Sequence, residues 1–168
     1  FAAAGYTIVP FGDPCQLCIV HGCAVTAHAE RDGIRAARQA ARLPGHPQVV
    51  LAGCPAEIDP ARIQVRLPTC LLVGQKEKFR LPALLHRVNP DRFPSPDPGT
   101  TPPAGVIPAT DSTSFIPLPH FETTRAAIKV QDGCNFGCAY CVVPQARGPP
   151  RGRPHREILG AVRPVAGA

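Results

Sequence analysis

Apolar residues fall along this chain in short runs separated by longer, mostly polar stretches. Leu17-Cys18-Ile19-Val20 is a continuous apolar run, which at this length suits a parallel strand buried on both faces. Gln48 to Ala52 reads as a second strand of the same kind. Between them, residues from about Ala27 to Leu43 read as a helix, with Glu30 in its first turn and Pro44-Gly45 as the stop. Gly5-Tyr6-Thr7-Ile8-Val9-Pro10 reads as a strand following the end of a helix. Far downstream, Ala127-Ile128-Lys129-Val130 reads as another short strand. Val142-Val143-Pro144 is expected to stop regular structure and lead into a basic, proline-rich stretch. Strands alternating with helices predict an α/β fold.

A linker interrupts this pattern from about Asn89 to Glu122. It holds Pro90, Pro94, Pro96, Pro98, Pro102, Pro103, Pro108, Pro117 and Pro119, a density that resists helix and sheet and favours an extended spacer. It divides the chain into a domain over 1–88, a linker over 89–122 and a second unit over 123–168.

Composition narrows the class. The 168 residues have room for one domain plus part of another, and 44% hydrophobic content supports a core. No apolar stretch approaches a membrane span, and no signal-peptide pattern opens the chain. Eight cysteines in a chain of this length are too sparse for the usual secreted disulfide scaffold, so a reducing cytoplasm is expected. The chain contains no methionine; a trimmed or incomplete product is expected, with processing of a mature chain as the alternative. The net charge is +6. Arg31, Arg35, Arg38 and Arg42 recur at helical spacing, which reads as a solvated basic face. Arg147, Arg151 and Arg153, near a cysteine-rich loop, read as contacts to substrate phosphates or as part of the loop's architecture. His28, His46, His86, His120 and His155 show no ligand spacing and read as surface or capping residues.

That loop carries the strongest chemical signal. Cys134, Cys138 and Cys141 have the spacing C-x3-C-x2-C. A 4Fe-4S cluster held by three cysteines leaves one iron free for an outside ligand, whereas a structural zinc site wants four ligands, usually from two separated pairs. Gly133 and Gly137 allow the backbone to wrap closely. A disulfide with a spare thiol, or a zinc loop borrowing a fourth ligand, are the alternatives. Strand, metal loop and then helix is the order in which an α/β barrel presents a site at its strands' carboxyl ends.

Cys23 and Cys54 each lie just past the carboxyl end of an expected parallel strand, where an open α/β sheet forms its ligand crevice. They are either partners in a second metal site or small buried hydrophobes. Cys15 and Cys18 complete a C-x2-C-x4-C pattern with Cys23, but Cys18 lies inside a strand run and Cys15 in the turn before it. Core and turn packing is the reading for both, and for Cys70. Replacement of a missing metal ligand by Cys15 or Cys18 is the alternative.

The segment from Arg125 to Leu159 resembles the start of the radical S-adenosylmethionine domain of the tRNA methylthiotransferases. It carries Lys129-Val130-Gln131, then G-C-N-x-x-C-x-Y-C, then Pro144 to Gly148, the step Arg151-Gly152-Arg153-Pro154, and Glu157-Ile158-Leu159 in the helix that follows. The N-terminal part resembles the same family. His21-Gly22-Cys23-Ala24-Val25-Thr26 stands where members read N-T-C-x-V-T, and Gly53-Cys54 matches a G-C. Leu71-Leu72-Val73-Gly74 followed by Glu77-Lys78 is similar to that domain's last strand and helix.

The resemblance implies a Rossmann/flavodoxin-like N-terminal methylthiotransferase domain (UPF0004-like, lacking its first strand), then the proline-rich linker, then the first strand-loop-helix of a partial (β/α) barrel. It implies that Cys134, Cys138 and Cys141 hold the radical 4Fe-4S cluster and that the open iron takes S-adenosylmethionine. Tyr140 would then sit close to that cofactor, the alternative being a half-buried ring packed on the barrel. Cys23 and Cys54 would ligate a second 4Fe-4S cluster, whose third ligand falls upstream of Phe1. His21 and Gly22 depart from the usual asparagine and threonine, and Pro164 interrupts the expected last helix. The implied reaction is methylthiolation at C2 of a modified adenosine beside the anticodon, with one S-adenosylmethionine as methyl donor and another as radical source.

The lead-in and the Cys23 motif look most like the threonylcarbamoyladenosine branch, followed by the isopentenyladenosine and ribosomal-protein branches. Implied partners are the tRNA anticodon loop and an electron-donor protein, with no membrane and no DNA. The isolated chain is expected to be truncated at both ends, with little or no turnover. A non-catalytic iron-sulfur module and an inactive product without a cluster are the readings from other classes.

Overall fold

The computed structural model describes residues 1–93 and 128–166. Most of the expected linker, the start of the 123–168 unit, its last two residues and His120 lie outside the described residues. Three parallel strands form the central sheet in the order β1 (Leu17–Gly22), β2 (Gln48–Gly53), β3 (Leu71–Val73). Leu17 pairs with Gln48 and Gly22 with Gly53, so β1 and β2 end level with each other. Helix α1 (Ala27–Ala40) connects β1 to β2; α2 (Cys54–Ile58) and α3 (Pro60–Arg66) connect β2 to β3; α4 (Leu81–Val88) follows. This small parallel α/β sheet fits a Rossmann-like domain.

The continuous apolar run in β2 has a direct packing explanation. Val49 and Leu51 enter one core layer with Ile34, Ala37, Ile63 and Leu67. Val50 and Ala52 enter the opposite layer with Val73, Leu81, Leu85 and Phe93. Alternate side chains of a strand point to opposite faces, so a strand covered on both sides needs apolar residues throughout. Cys18 and Cys70 are buried in the first layer and Cys15 packs against it, in agreement with their reading as core and turn residues.

Local signals explain the helix boundaries. The Thr26 hydroxyl accepts the Ala29 N–H at 3.1 Å and caps α1. The helix ends at Ala40 rather than Leu43; Leu43 precedes Pro44, and a residue before proline is pushed out of the helical region. Arg31, Arg35, Arg38 and Arg42 are exposed, with Arg35 on Asp32 at 3.1 Å, as a solvated face requires. Helices α2 and α3 were not expected. Their signal was Asp59-Pro60: the Asp59 carboxylate accepts the Arg62 N–H at 3.0 Å, and Pro60 fits the first turn.

Other expectations are corrected. Residues 6–10 are not a strand. Ala2–Ala4 form one 3-10 turn that ends at Gly5 (φ 82°), and Tyr6 folds edge-on against Phe1 at 5.0 Å. Among the described residues no strand lies beside this segment, so its β-branched residues gain no cross-strand packing. Residues 128–130 are not a strand either. The pairing sits one step on, where β4 (Gln131–Asp132) meets β5 (Arg151–Gly152) as an antiparallel ribbon. Val143–Arg147 forms helix α5 instead of a break, because Pro144 occupies the first turn, where its missing N–H is not needed. Helix α6 (His155–Ala166) runs past Pro164. A proline this close to the helix end removes one backbone donor and leaves the preceding turns intact.

One ion pair ties α1 to α3. Arg62 reaches Glu30 with two hydrogen bonds of 2.8 and 2.9 Å. The bond from Arg62 holds the Glu30 carboxyl below its ordinary value, against the opposing effect of burial. The pair's contribution is therefore complete above the ordinary glutamate range near about 4.3 and is lost as pH falls through the lowered value. It is worth no more than about 1 kcal/mol, because solvent screens the half-exposed Arg62. Glu30→Gln is expected to flatten the acid side of the stability profile in urea unfolding; an unaltered profile would show that the pair contributes nothing.

Candidate functional site

The level ends of β1 and β2 place Cys23 and Cys54 immediately after neighbouring strand termini. Gly53 makes the turn possible. Its φ is 111°, and a Cβ there would lie 2.6 Å from the Gly22 carbonyl oxygen and 3.2 Å from the His21 ring, so only glycine fits. Cys54 opens α2 and is buried, whereas Cys23 is exposed.

Residues from the other end of the sequence cover Cys54. Helix α5 rests against α2, and the Arg147 guanidinium at its end donates to the Asp132 carboxylate at 3.3 Å. Asp132 is buried, receives Lys129 at 2.7 Å, and accepts the Gly133 N–H at 3.0 Å. Burial works to raise its pKa, but Lys129, the Gly133 N–H and Arg147 outweigh it and hold the carboxyl below the ordinary range. Burial likewise opposes the charge on Arg147, and Cys54 and Asp132 more than offset it.

Lys78, just beyond β3, completes the surround. Its Nζ lies 3.3 Å from Nε2 of His21. Burial first, then the charges of Lys78 and Arg147, lower the His21 pKa. A neutral His21 therefore accepts from the Lys78 ammonium. The Lys78 pKa is also lowered, first by burial and then by Lys129. The crevice at the carboxyl ends of the strands is thus lined by basic groups around one buried carboxylate and one buried thiol.

The three-cysteine loop leaves this surround at Asp132 and returns to it at Arg147. The Cys134 N–H donates to the Gly148 carbonyl at 3.1 Å, the Cys141 N–H to the Cys138 carbonyl at 3.1 Å, and the Phe136 N–H to the Cys134 sulfur at 3.4 Å. None of the eight cysteines is in a disulfide. Among the described residues, no three Cys, His, Asp or Glu side chains converge closely enough to hold a metal ion. Cys138 is exposed, and Cys134 and Cys141 are half-buried. A Cβ at Gly137 would meet nothing within 4 Å, so the loop has room to close around a guest. The donor set fits an iron-sulfur group: three free thiols on one short loop, with a backbone N–H already aimed at one sulfur. Backbone hydrogen bonds to sulfur are among the features that tune such groups, and closure on binding is ordinary for metal loops.

Tyr140 is 89% exposed. Sequence reasoning singled out Arg147 but missed Asp132, Lys78 and the role of His21. The only available signals were the charged residues flanking glycine-rich turns, which are common elsewhere. Among the described residues no helix is long and apolar enough to cross a membrane.

Comparison with known proteins adds a second line of observation. Residues 1–74 match the model of "Uncharacterized protein family UPF0004". A threonylcarbamoyladenosine tRNA methylthiotransferase of Chlamydia pneumoniae is 36% identical over 152 residues, covering 90% of this chain and 31% of that protein. Its counterpart in Aquifex aeolicus is 30% identical, covering 99% and 39%. A ribosomal protein uS12 methylthiotransferase of Akkermansia muciniphila is 29% identical, covering 93% and 35%. The chain spans roughly a third of the length of these relatives.

Proposed function

Because the chain belongs to the tRNA methylthiotransferase family of these relatives, we propose that it carries both cysteine sites of a radical S-adenosylmethionine methylthiotransferase. The proposed substrate is N6-threonylcarbamoyladenosine beside the anticodon of tRNA. The observation that carries this reading is the meeting of two cysteine segments far apart in sequence: helix α5, just past the triplet, packs against α2, whose first residue is Cys54. A protein using one cluster for radical generation and another for sulfur delivery needs such neighbours.

In this reading Cys134, Cys138 and Cys141 hold one 4Fe-4S group, and Cys23 and Cys54 belong to the second. When bound, the first supplies the electron that cleaves S-adenosylmethionine. The chain's own residues do the rest. Gly133 and Gly148 shape the turn that fixes Cys134, and Arg147 and Lys78 bring positive charge to the end of β1. The exposed Tyr140 precedes Cys141 in the loop and would meet the cofactor there. Arg151, half-buried beside the loop, is the group that would meet RNA phosphates, and such binding would weaken with salt; Arg153 is buried on Glu157 and belongs to the architecture instead. The partners are tRNA and a cytoplasmic electron-donor protein. The uS12 relative in Akkermansia favours the ribosomal-protein branch as the second reading.

The test is anaerobic reconstitution of the chain with iron and sulfide. The expected result is a cluster spectrum that changes on addition of S-adenosylmethionine, with release of 5′-deoxyadenosine after reduction. Iron uptake without cofactor cleavage would mean a non-catalytic iron-sulfur module. No iron uptake would refute the assignment. Mass spectrometry of tRNA nucleosides and of ribosomal protein from a strain expressing the full-length gene would separate the substrate branches.

A further inference from the structure

We propose that Asp132 is a positioning residue that locks the neck of the three-cysteine loop, so that Cys134 stands in place before a cluster arrives. Backbone pairing draws the neck together. Asp132 lies opposite Arg151 in the β4–β5 ribbon. The Cys134 N–H donates to the Gly148 carbonyl at 3.1 Å, and the Arg153 N–H to the Val130 carbonyl at 2.8 Å. The Asp132 side chain then gathers three donors at this point while only 5% exposed. The Lys129 ammonium reaches one carboxylate oxygen at 2.7 Å. The Gly133 N–H and Arg147 Nη1 reach the other at 3.0 and 3.3 Å. Arg147 stands 15 positions downstream, so its bond spans the whole loop. Its place is fixed in turn, because Ala146 beside it is fully buried and Arg151 Nη2 donates to the Arg147 carbonyl at 2.9 Å. Beyond the neck the loop is open: Cys138 is exposed, and a Cβ at Gly137 would meet nothing within 4 Å.

A buried carboxylate is costly unless it is both paired and hydrogen-bonded. A turn alone needs only an oxygen for the Gly133 N–H, which a neutral side chain supplies. Here two cations, one from before the loop and one from after it, meet on the same carboxylate. That arrangement specifies charge. Closing a loop costs conformational entropy, and a neck closed in advance removes that cost from the binding step. Importance for cluster chemistry rests on the function proposed above; the lock itself does not.

The experiment uses the reduced, metal-free 168-residue chain and hydrogen–deuterium exchange. Asp132→Asn keeps an oxygen for the Gly133 N–H but carries no charge for Lys129 and Arg147. It is expected to speed exchange at the Gly133, Cys134 and Arg153 amides by roughly tenfold or more, the factor that a lost hydrogen bond to a charged group represents, as the neck opens locally. Exchange at Val49 to Leu51 in the core should stay as it was. Full protection in Asp132→Asn overturns the proposal, even if Asp132→Ala loses protection, since a turn hydrogen bond would then suffice. If Asp132→Asn also loses protection at Val49 to Leu51, Arg147→Met decides. It removes one arm of the lock and should loosen the same three amides, and protection equal to that of the unaltered chain overturns the lock.

A second readout follows iron loading. Reconstituted Asp132→Asn should give a cluster whose electron paramagnetic resonance signal is shifted, because Cys134 no longer holds the same position and the surroundings of the sulfur have changed. An unshifted signal overturns the positioning role. If the unaltered chain takes up no iron, the proposed function fails while the exchange result still decides the lock.

Discussion

Alanine at any one of Cys134, Cys138 or Cys141 is expected to abolish the visible sulfur-to-iron absorbance of the radical-type cluster after anaerobic reconstitution. The effect should be near-complete in each single variant, not graded. A group held at only three corners has no spare protein ligand, and among the described residues no further Cys, His, Asp or Glu stands close enough to form a metal-holding set with the loop. Cys23→Ala and Cys54→Ala should leave this signal and remove iron belonging to the second site. Cys15→Ala, Cys18→Ala and Cys70→Ala should lose no iron, since these sulfurs pack in or against the core. Iron loss in Cys15→Ala or Cys18→Ala would revive the idea that one of them replaces a ligand of the second site. Retention of the full spectrum in any triplet variant would end the cluster assignment.

Gly133→Ala should be almost as damaging, by a different route. Gly133 has φ 76°, and a Cβ there would press on the carbonyl oxygens of Pro149 and Gly148, the latter at 2.6 Å. Both obstacles are backbone, so no side chain can swing aside. The left-handed conformation alone costs roughly 1–2 kcal/mol for a residue with a Cβ. Displacing the turn adds to that, because the Gly148 carbonyl also receives the Cys134 N–H. The variant should keep the β1–β3 core by circular dichroism yet take up much less iron. Gly137→Ala is the control: its Cβ would meet nothing within 4 Å, and iron uptake should be nearly normal. Equal uptake by both variants would show that the loop does not depend on the Gly133 turn.

Much of the site was legible because its signals are local. The triplet announces itself through ligand count and spacing, and Cys23 and Cys54 through their place after apolar strand runs. What could not be read was the company those residues keep. Asp132 looks like any turn aspartate in sequence, and its burial with Lys129 and Arg147 as partners exists only in the fold. His21 registered only as a departure from a family pattern, but in the fold its ring meets Lys78, 57 positions away. Of the strand expected at 127–130, the described residues 128–130 are not strand, for a related reason. Strand propensity names a segment that suits a ladder, but the partner decides the register, and here the partner is Arg151–Gly152.

By itself, the order of residues determined β1, α1 and β2, because apolar runs, a threonine cap and a proline stop act within a few positions of one another. It also determined that three thiols share one loop. Only the tertiary structure decided that β1 and β2 end level, that Cys54 is buried where α5 packs on α2, and that the loop's two ends are joined through Asp132. Those outcomes come from strand register, helix docking and charge compensation between distant segments, and such contacts do not exist until the chain is folded.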